Sequence, residues 1–508
     1  MARMATPLRC SENHDSRLAA AHFEMGSESV SGRPARVLFD LSHAADGYVG
    51  IAQDARLIFD MLATLPGVTV AGLLMPTGRH DLPRIKPGGA HDPAVTAGVL
   101  HWMARNWATR SYPRRLGRVL EAPHAVRTEY GLVKLQPSER TGALWRILFE
   151  KTLQPDRREA VLAQEYYATD LSVMRIIDRA MRLPRLPPKR LATEGFDFAF
   201  FCMPRPVRLA AGTRQILRFH DAVPITDTDT VSSWRTGVAH QRLVRQCAAD
   251  AIFVCNSEQS RADLVAVDPR RAELAEVIPC ALAPPPAGGP AIPAASIVES
   301  RRVFRALPEG EPRQAQEFPP GARFVLSVST LEPRKNYQGL IRGWERIVNR
   351  TDPELKLVIV ANTGWLEEPV LRSMAPHVRK GRIVHLEALP HDELNSLTRQ
   401  AACFAFPSFN EGFGYPPLEA MQCGAACVVS DIPVFRGIFD DAAVFVDPYD
   451  AESIAQGIER VTSLPGHEAL RAELRERAVA VLARFRPSVV RERWAALFER
   501  LQAGRTAL

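Results

Sequence analysis

The sequence predicts an α/β protein of two domains, each built on a parallel β-sheet. Residues 34–282 and 321–483 alternate short apolar runs with segments whose apolar residues recur at helical spacing. Residues 283–320 separate these two blocks and contain nine prolines, which a buried parallel strand does not tolerate. A chain of 508 residues also exceeds the usual size of one compact core. We therefore expect two sheets facing each other across a cleft and joined by a linker.

The first block opens with a strand, a helix and a second strand. RVLFDLS, residues 36–42, is a short apolar run typical of a buried strand. A glycine turn, DGYVG, leads into IAQDARLIFDMLATL, in which Ile51, Ala55, Ile58 and Leu62 share one helical face. VTVAGLLMP then predicts the second strand. This order is the seed of a doubly wound parallel sheet.

The rest of the first block contains a less regular insertion. Residues 77–195 hold several predicted helices and most of the basic clusters, and the alternation resumes at residue 196 with FDFAFFCMP, RQILRFHDAVPI and DAIFVCNS. Residues 1–33 carry charges throughout and no apolar core. They predict a disordered tail rather than a secretory signal.

The second block repeats the alternation more evenly. RFVLSVST, LKLVIVA, RIVHLEAL and CFAFPS predict strands, and amphipathic segments between them predict helices. Residues 484–508, with RFRPSVVRERWAALFERL, predict a last helix and a tail. Parallel sheets bind ligands beyond the carboxyl ends of their strands, and every motif below falls at such an end.

Composition limits the class of protein. No apolar run approaches the roughly 20 residues of a membrane-spanning helix. The eight cysteines form no CxxC pair, which favours reduced thiols in a cytoplasmic protein and no metal site. The net charge of +7 favours anionic partners, and the basic residues concentrate in 103–118 and 175–190. These two segments are either solvated surface or a patch that docks on an anionic membrane.

VSTLEPRKN, residues 328–336, leaves a predicted strand and enters a predicted helix near Asn336. Arg334 and Lys335 therefore lie beside a helix N-terminus, where unpaired N–H groups and the helix dipole already favour an anion. The pattern suits a phosphate or diphosphate. The alternative is an ordinary turn with surface charges.

EGFGYPPLE, residues 411–419, occupies the same topological place after the strand CFAFPS. Gly412 and Gly414 permit positive φ and close approach of a ligand to the backbone. The prolines start the next helix, so Glu411 stays on the loop while Glu419 lies in the first turns of that helix. Two acids that grip hydroxyls of one polyol ligand fit this placement better than an acid/base couple. A strand-to-helix turn with a capping acid is the alternative.

RFHDAVPI, residues 218–225, places His220 at a strand end in the first block. This histidine either faces the cleft or packs in the core, and Asp221 either fixes its tautomer or caps a turn. The glycine turn from Gly47 to Gly50 allows a ligand to approach the first helix. Four such motifs at one interdomain cleft together indicate a ligand site.

The second block closely resembles the catalytic domain of family 4 of the retaining glycosyltransferases, the glycosyl transferases group 1. The resemblance covers about residues 322–465 and rests on VSTLEPRKN, LKLVIVANTGW, FAFPSFNEGFGYPPLEAMQCGAACVVSDIP and AVFVDPYD. The first block matches more thinly, through DGYVGIAQDARLI, RFHDAVPI and FVCNSEQSRADL. The family implies the GT-B fold, in which two Rossmann-like domains face each other and the last helix crosses back onto the first domain.

The resemblance also implies roles for the motif residues. The first acid of the family's acid-x7-acid motif falls on Glu411 and attends the donor sugar, and the second falls on Glu419 and attends the nucleotide ribose. The basic pair falls on Arg334 and Lys335 and neutralises the donor diphosphate, and the histidine near the transferred sugar falls on His220. The predicted catalytic residues are His220, Glu411, Arg334 and Lys335. The predicted donor-binding residues are Gly50, Arg334, Lys335, Glu411, Gly412, Phe413, Gly414 and Glu419.

The expected reaction is transfer of a mannose-like hexose with retention, with GDP-mannose as the first choice of donor and no metal or other cofactor. The acceptor is a saccharide or a lipid-linked saccharide of surface polysaccharide synthesis, and the enzyme is cytoplasmic or peripheral on the inner face of the plasma membrane. Two departures from the family pattern bear on the donor and the acceptor: Val434 stands where a glutamate is usual, and Ala361 replaces a glycine.

Other functions stay open from the sequence. A sugar-nucleotide epimerase or a phosphorylase shares the two-domain plan, and a non-catalytic carbohydrate-binding subunit is a rival of another class. Nucleic-acid binding would account for the charge but not for the acid loop, so we expect no nucleic-acid partner.

Overall fold

The computed structural model describes residues 33–45, 47, 50–76, 97–98, 127–139, 142–227, 234–284, 291–308, 311, 317–362 and 364–506. The tail predicted up to residue 32 and the basic segment 103–118 lie outside the described residues. So does most of the first half of the insertion predicted at 77–195.

The first domain is built on an eight-stranded sheet with the order β10-β9-β8-β7-β1-β2-β5-β4. Its pairs are parallel except that between β4 and β5. Its strands are β1 Ala35–Asp40, β2 Val68–Leu74, β4 Val133–Lys134, β5 Glu165–Ala168, β7 Phe198–Phe201, β8 Arg214–Phe219, β9 Ile252–Cys255 and β10 Ala275–Val277. The remaining two, β3 Glu129–Tyr130 and β6 Arg190–Leu191, pair with each other in a separate two-stranded sheet. The helices are α1 Gly50–Ala63, α2 Gly142–Leu144, α3 Arg158–Leu162, α4 Val173–Arg182, α5 Val223–Thr226, α6 Trp234–Gln246 and α7 Glu258–Val267.

The second domain is built on a seven-stranded sheet with the order β11-β14-β13-β12-β15-β16-β17. Its strands are β11 Arg302–Val303, β12 Phe324–Val328, β13 Lys356–Val360, β14 Ile383–Leu386, β15 Cys403–Phe406, β16 Cys427–Ser430 and β17 Val444–Val446. Its helices are α8 Ala294–Arg301, α9 Tyr337–Arg350, α10 Glu368–Arg379, α11 His391–Gln400, α12 Tyr415–Gln422, α13 Pro433–Phe439, α14 Ala451–Thr462, α15 His467–Ala483 and α16 Pro487–Thr506.

The strands read as continuous apolar runs because helices cover both faces of each sheet. In the second domain Leu326, Val358 and Phe404 belong to the core on one face, whereas Leu357 and Ile359 belong to the core on the other. The α/β prediction of two parallel-sheet domains is confirmed, and the carboxyl ends of both sheets are where the motif residues lie.

The linker prediction for residues 283–320 is wrong for part of that segment. Residues 294–301 form α8, whose Ile297 and Val298 are buried in the core of the second domain. The next two residues form β11, which pairs antiparallel with β14 at the edge of the sheet. Pro293 immediately precedes the helix, where its fixed φ is compatible with a helix start. The number of prolines therefore concealed a short helix and an edge strand.

The last helix, α16, packs on the first domain although it follows the second. Trp494 is fully buried there, with its ring 5.6 Å from that of Phe200, and Phe498 packs on Phe198 at 5.7 Å. The two crossings between the domains meet, because the backbone N–H of Leu282 donates to the carbonyl of Phe485 at 2.9 Å. The chain thus joins its domains through two adjacent segments.

Two further points concern the described residues alone. None of the helices there is both long enough and apolar enough to cross a bilayer. The seven cysteines there are free thiols, most of them buried.

Candidate functional site

Arg334 and Lys335 lie on a single 3₁₀ turn, Pro333–Lys335, between β12 and α9. Asn336 ends this turn with φ of 54°, in the left-handed region that asparagine tolerates. Its side chain accepts a hydrogen bond from Gly339 N at 3.1 Å as the cap of α9. The same side chain donates to the carbonyls of Pro407 at 3.0 Å and Pro448 at 2.6 Å. Asn336 therefore fixes the turn against two neighbouring loops of the sheet.

Both cations of this turn bind one carboxylate of the EGFGYPPLE loop. Arg334 Nη1 lies 2.9 Å from Glu411 Oε2, and Lys335 Nζ lies 2.6 Å from Glu411 Oε1. Arg334 Nε also donates to Glu332 Oε2 at 3.1 Å. The side chains of Lys335 and Glu411 are only 8% and 7% exposed. These charges form a compact, largely desolvated cluster at the carboxyl edge of the second sheet.

The electrostatics of the cluster favour an additional anion. Burial alone raises the pKa of Glu411, but the charges of Arg334 and Lys335 outweigh it and hold that pKa at about 2. Burial lowers the pKa of Lys335, Arg334 lowers it further, and Glu411 opposes both only in part. A bound phosphate would restore to Lys335 the stabilisation of its charge that burial removes.

The loop that carries Glu411 lies directly against the first domain. A Cβ on Gly412 would come within 2.2 Å of the carbonyl oxygen of His220, so only glycine fits there. The carbonyl of Gly412 accepts a hydrogen bond from Ser257 Oγ at 2.8 Å. Gly414 has φ of 97° and begins α12. Across the cleft, a Cβ on Gly50 would lie 3.0 Å from the ring of Tyr415.

Glu419 lies on α12 and faces α1 of the first domain. Its Oε1 accepts a hydrogen bond from Gln53 Nε2 at 3.0 Å. Burial raises the pKa of Glu419, and the Gln53 hydrogen bond and His391 oppose that effect. The second acid of the motif is therefore separate from the cation cluster and has an amide partner from the opposite domain.

His220 follows β8 and is almost fully buried, with 12% of its side chain exposed. Its Nε2 contacts the carbonyl of Cys202 at 3.1 Å, so Nε2 carries the proton, and Nδ1 lies 4.0 Å from Asp54. Burial lowers the pKa of His220 to about 4, and the attraction of Asp54 only partly offsets it. The imidazole is therefore neutral at pH 7.

Asp54, His220 and Cys280 place one ligand atom each within 4.8 Å of one another, as a metal site would. The fully buried guanidinium of Arg218 already lies among them. Its Nε binds Asp54 Oδ2 at 2.7 Å, and its Nη2 contacts Cys280 Sγ at 3.3 Å. Burial also raises the pKa of the Cys280 thiol, which keeps it protonated. The three residues fit a buried ion pair better than a metal centre.

The structure brings together most of the residues that the sequence singled out. Arg334, Lys335 and Glu411 form one cluster, and His220 meets the glycine loop through its backbone. Phe413 differs, because its ring is 4% exposed and packs on Tyr415 and Phe485. Phe413 can therefore offer a ligand only its backbone.

The sequence interpretation missed three residues at the domain contact: Gln53, Ser257 and Tyr415. Ser257 lies in the quoted FVCNSEQSRADL, where serine before a helix was a detectable cap signal. Gln53 and Tyr415 carry no such signal, since their partners lie in the other domain.

A segment in the second half of the chain matches a known protein family. Residues 309–480 match the sequence model of the family described as Glycosyl transferases group 1. The chain is 33% identical over 135 residues to O-antigen chain mannosyltransferase B of Escherichia coli, covering 27% of this chain and 35% of that protein. It is 30% identical over 145 residues to O-antigen chain mannosyltransferase RfbU of Salmonella typhimurium, covering 28% and 39%. These matches span little more than a third of those two relatives.

Solved structures resemble the whole chain in fold. Sucrose-phosphate synthase from Thermosynechococcus elongatus superposes with a TM-score of 0.51 at 15% identity, covering 93% of this chain and all of that one. Anabaena HepE, solved in complex with UDP and glucose, gives 0.51 at 12% identity, covering 92% and 100%. The fold is GT-B, as predicted, and residues 309–480 match the glycosyl transferases group 1 family.

Proposed function

We propose that this protein is a retaining glycosyltransferase that moves a mannose-like hexose from a nucleotide diphosphate sugar. GDP-mannose is the first choice of donor, and a saccharide or lipid-linked saccharide of surface polysaccharide synthesis is the acceptor. The observation that carries the proposal is the cluster of Arg334, Lys335 and Glu411 at the carboxyl edge of a glycosyl transferases group 1 domain. The mannosyl character rests on the local similarity to O-antigen mannosyltransferases.

In this proposal the cation cluster stabilises the departing diphosphate. Negative charge grows on the leaving group as the glycosidic bond to the phosphate breaks, so fixed cations bind the transition state more tightly than the ground state. Glu411 holds both side chains in place before the donor arrives, which reduces the reorganisation needed during the reaction.

In this proposal the substrate itself performs the acid–base steps. A neutral His220 beside the glycine loop is suited to hydrogen bonding with the transferred sugar rather than to charge stabilisation. The leaving phosphate takes the acceptor proton on the same face of the sugar, which accounts for retention. Arg334 and Lys335 take the part that a metal ion plays elsewhere, so the proposal includes no metal.

Glu419 is proposed to bind the hydroxyls of the nucleotide ribose. A carboxylate that accepts hydrogen bonds from ligand hydroxyls typically contributes about 1.5–3 kcal/mol. In the ligand-free protein Gln53 occupies one of its oxygens, and a ribose hydroxyl would take that place.

The protein is further proposed to work in the cytoplasm, at the inner face of the plasma membrane. Residues 175–190 combine arginines with two exposed leucines, Leu183 at 43% and Leu186 at 48%. Such a surface suits an anionic leaflet. Binding in vesicle flotation should therefore depend on anionic lipid, and equal binding to neutral vesicles would contradict this part of the proposal.

A thermal-shift screen of nucleotide sugars tests the donor, because a ligand that binds only the folded state raises the melting temperature. GDP-mannose should stabilise the wild-type protein more than UDP-glucose does. Glu419→Ala should weaken nucleotide binding by roughly 10- to 100-fold in calorimetry. Arg372→Ala, on the exposed side of α10, is the matched control.

The product distinguishes the rival enzymes. Transfer with retention gives a glycoside whose anomeric configuration, read by NMR, equals that of the donor. Conversion of the donor without an acceptor would indicate an epimerase, and consumption of phosphate would indicate a phosphorylase. No stabilisation by any nucleotide sugar would contradict the proposal as a whole.

A further inference from the structure

Four cationic side chains gather at the carboxyl edge of the first sheet, away from the donor site. We call Arg127, Arg175, Arg179 and Lys189 the α4 cation cluster. Arg175 Nη1 donates to the carbonyl of Asp170 at 2.9 Å, and Arg127 pairs with the Asp170 carboxylate. Asp170 comes two residues after β5, and Thr169 N donates to the last residue of β2 at 3.2 Å. The cluster therefore lies at the ends of β2 and β5.

The ring of Tyr130 packs against two cations of this cluster. The guanidinium of Arg127 stacks on its ring at 4.2 Å, and Lys189 Nζ lies 5.4 Å from the ring centre. Lys189 Nζ also donates to the carbonyl of Arg127 at 2.7 Å. The ring thus holds two of the four cations in fixed positions.

The Tyr130 hydroxyl is completely buried and makes no hydrogen bond in the described part of the structure. A buried hydroxyl without a partner destabilises the folded state, so it requires an explanation in a native fold. Burial raises the pKa of Tyr130, and the nearby charges of Arg175 and Arg127 oppose that effect. The hydroxyl therefore lies in a positive field with a donor proton available.

The pKa of Lys189 is affected by the same positive field. Burial and the charges of Arg179, Arg175 and Arg127 together lower its pKa to about 8. A phosphate oxygen would accept from the tyrosine hydroxyl and from guanidinium N–H groups, which bind phosphate in a bidentate way. It would also offset the repulsion between the cations.

We propose that the α4 cation cluster and Tyr130 bind a phosphate group of the acceptor, remote from the hydroxyl that is glycosylated. The inference rests on the proposed glycosyltransferase function and adds an acceptor class to it. Phosphate on a lipid carrier and phosphate on a soluble saccharide share this chemistry.

The strand order gives the spacing between the two sites. His220 follows β8 and the cluster follows β5, with β7, β1 and β2 between these strands. Four strand intervals amount to about 19 Å. At about 1.5 Å per bond, roughly a dozen bonds must separate the phosphate from the reacting hydroxyl. The phosphate therefore belongs beyond at least one sugar ring.

Groups suited to that intervening sugar lie at the end of β1. Asp40 and Ser42 are buried, and Asp40 Oδ2 and Ser42 Oγ make no hydrogen bond among the described residues. They lie between the two sites in the strand order. Carboxylate and hydroxyl oxygens of this kind are suited to sugar hydroxyls.

Pyrophosphate binding, measured by calorimetry on the full-length protein, tests the site. Because the donor site also takes a diphosphate, the measurement uses Arg334→Ala/Lys335→Ala as the background. Pyrophosphate should still bind this background. Adding Arg175→Met/Arg179→Met should weaken it at least tenfold, since methionine keeps most of the apolar stem but not the charge. Tyr130→Phe, which removes one oxygen, should weaken it about tenfold.

Arg346→Met/Arg350→Met is the matched control, because those arginines have the same spacing on α9 and lie in the other domain. It should leave pyrophosphate affinity unchanged. Loss of all binding in the background variant, or wild-type affinity after Arg175→Met/Arg179→Met, would overturn the site. In either case the wild-type protein, with its donor site unaltered, should still respond to nucleotide sugars, which separates this failure from failure of the proposed function.

Farnesyl diphosphate identifies the source of the phosphate. Tighter binding than pyrophosphate, lost on Leu183→Ser/Leu186→Ser, assigns the site to a lipid-linked acceptor, because both leucines are exposed just after α4. Equal affinity for the two compounds assigns it to a soluble phosphorylated saccharide. Both results support the phosphate site itself.

Discussion

The carboxyl edges of the two sheets use charge in different ways. In the second domain Arg334, Lys335 and Glu411 come from two short loops and pair with one another at the proposed donor site. In the first domain the central charged pair, Arg218 and Asp54, is fully buried and holds β8 to α1. The ion cluster of one edge thus lies at the proposed donor site, whereas the ion pair of the other edge is fully buried and structural. Removing the charge of Arg218 should therefore lower stability, whereas removing the charge of Lys335 should lower activity.

The largest effect should come from Arg218→Met in the first domain. It leaves the Asp54 carboxylate buried without its cation, which typically costs about 3–5 kcal/mol of folding free energy. Urea unfolding followed by circular dichroism measures this loss. The double variant Arg218→Met/Asp54→Asn should recover much of it, and a double variant no more stable than Arg218→Met would show that the charge is not the cause.

Lys335→Ala should instead reduce activity at little cost in stability. In the proposed mechanism the amine acts on charge that develops in the transition state, so kcat should fall by about 10²–10³. Steady-state kinetics with a saturating donor measures kcat. Arg346→Ala, on α9 of the same domain, is the control. An unchanged kcat with only a raised KM would place Lys335 in ground-state binding.

The pH dependence of stability sharpens the comparison further. The pKa of Glu411 is about 2 when folded against an ordinary 4.5, so the folded state binds fewer protons between these values. Its stabilisation is complete above pH 4.5 and is lost as the pH falls towards 2. The stability difference between wild type and Glu411→Gln should therefore shrink on acidification, by at most about 1.4 kcal/mol per pH unit. A difference constant from about pH 6 to about pH 3 would contradict the ion cluster.

The smallest effect is expected where the two edges meet. Gln53→Ala removes the hydrogen bond that occupies Glu419 in the ligand-free protein. If Glu419 binds the ribose as proposed, nucleotide affinity should then rise by about two- to tenfold, because the ribose hydroxyl would no longer compete with an amide. Calorimetry with GDP measures it, with Gln456→Ala on α14 as control. A loss of affinity would mean that Gln53 itself binds the nucleotide.

The same contrast explains how much the sequence could predict. Arg334, Lys335, Glu411 and the glycines of the acid loop lie in two local motifs whose strand-to-helix context fixes their position. Gln53 has no such context, because its partner Glu419 lies 366 residues away. Tyr130 has a local partner in Arg127, but Lys189, its other cation, lies tens of residues along the chain. The α/β alternation gave the fold class for a related reason, since it is a local property repeated along the chain.

The error at residues 283–320 has a physical cause. Proline is disfavoured in the interior of helices and in central strands. It is tolerated at the residue before a helix and at an antiparallel edge strand. Ile297 and Val298 mark the buried face of α8 between the proline clusters. Counting prolines over the whole segment obscured this buried face.

The paired crossings at Leu282 and Phe485 have a mechanical consequence. The backbone hydrogen bond ties the two connections together, so a relative motion of the two domains must turn about this point or break that bond. The Phe485 ring also touches Phe413, 5.4 Å away, in the loop that presents Glu411. A relative rotation of the two domains about this point would therefore press on the loop that carries Glu411, the carboxylate that binds Arg334 and Lys335.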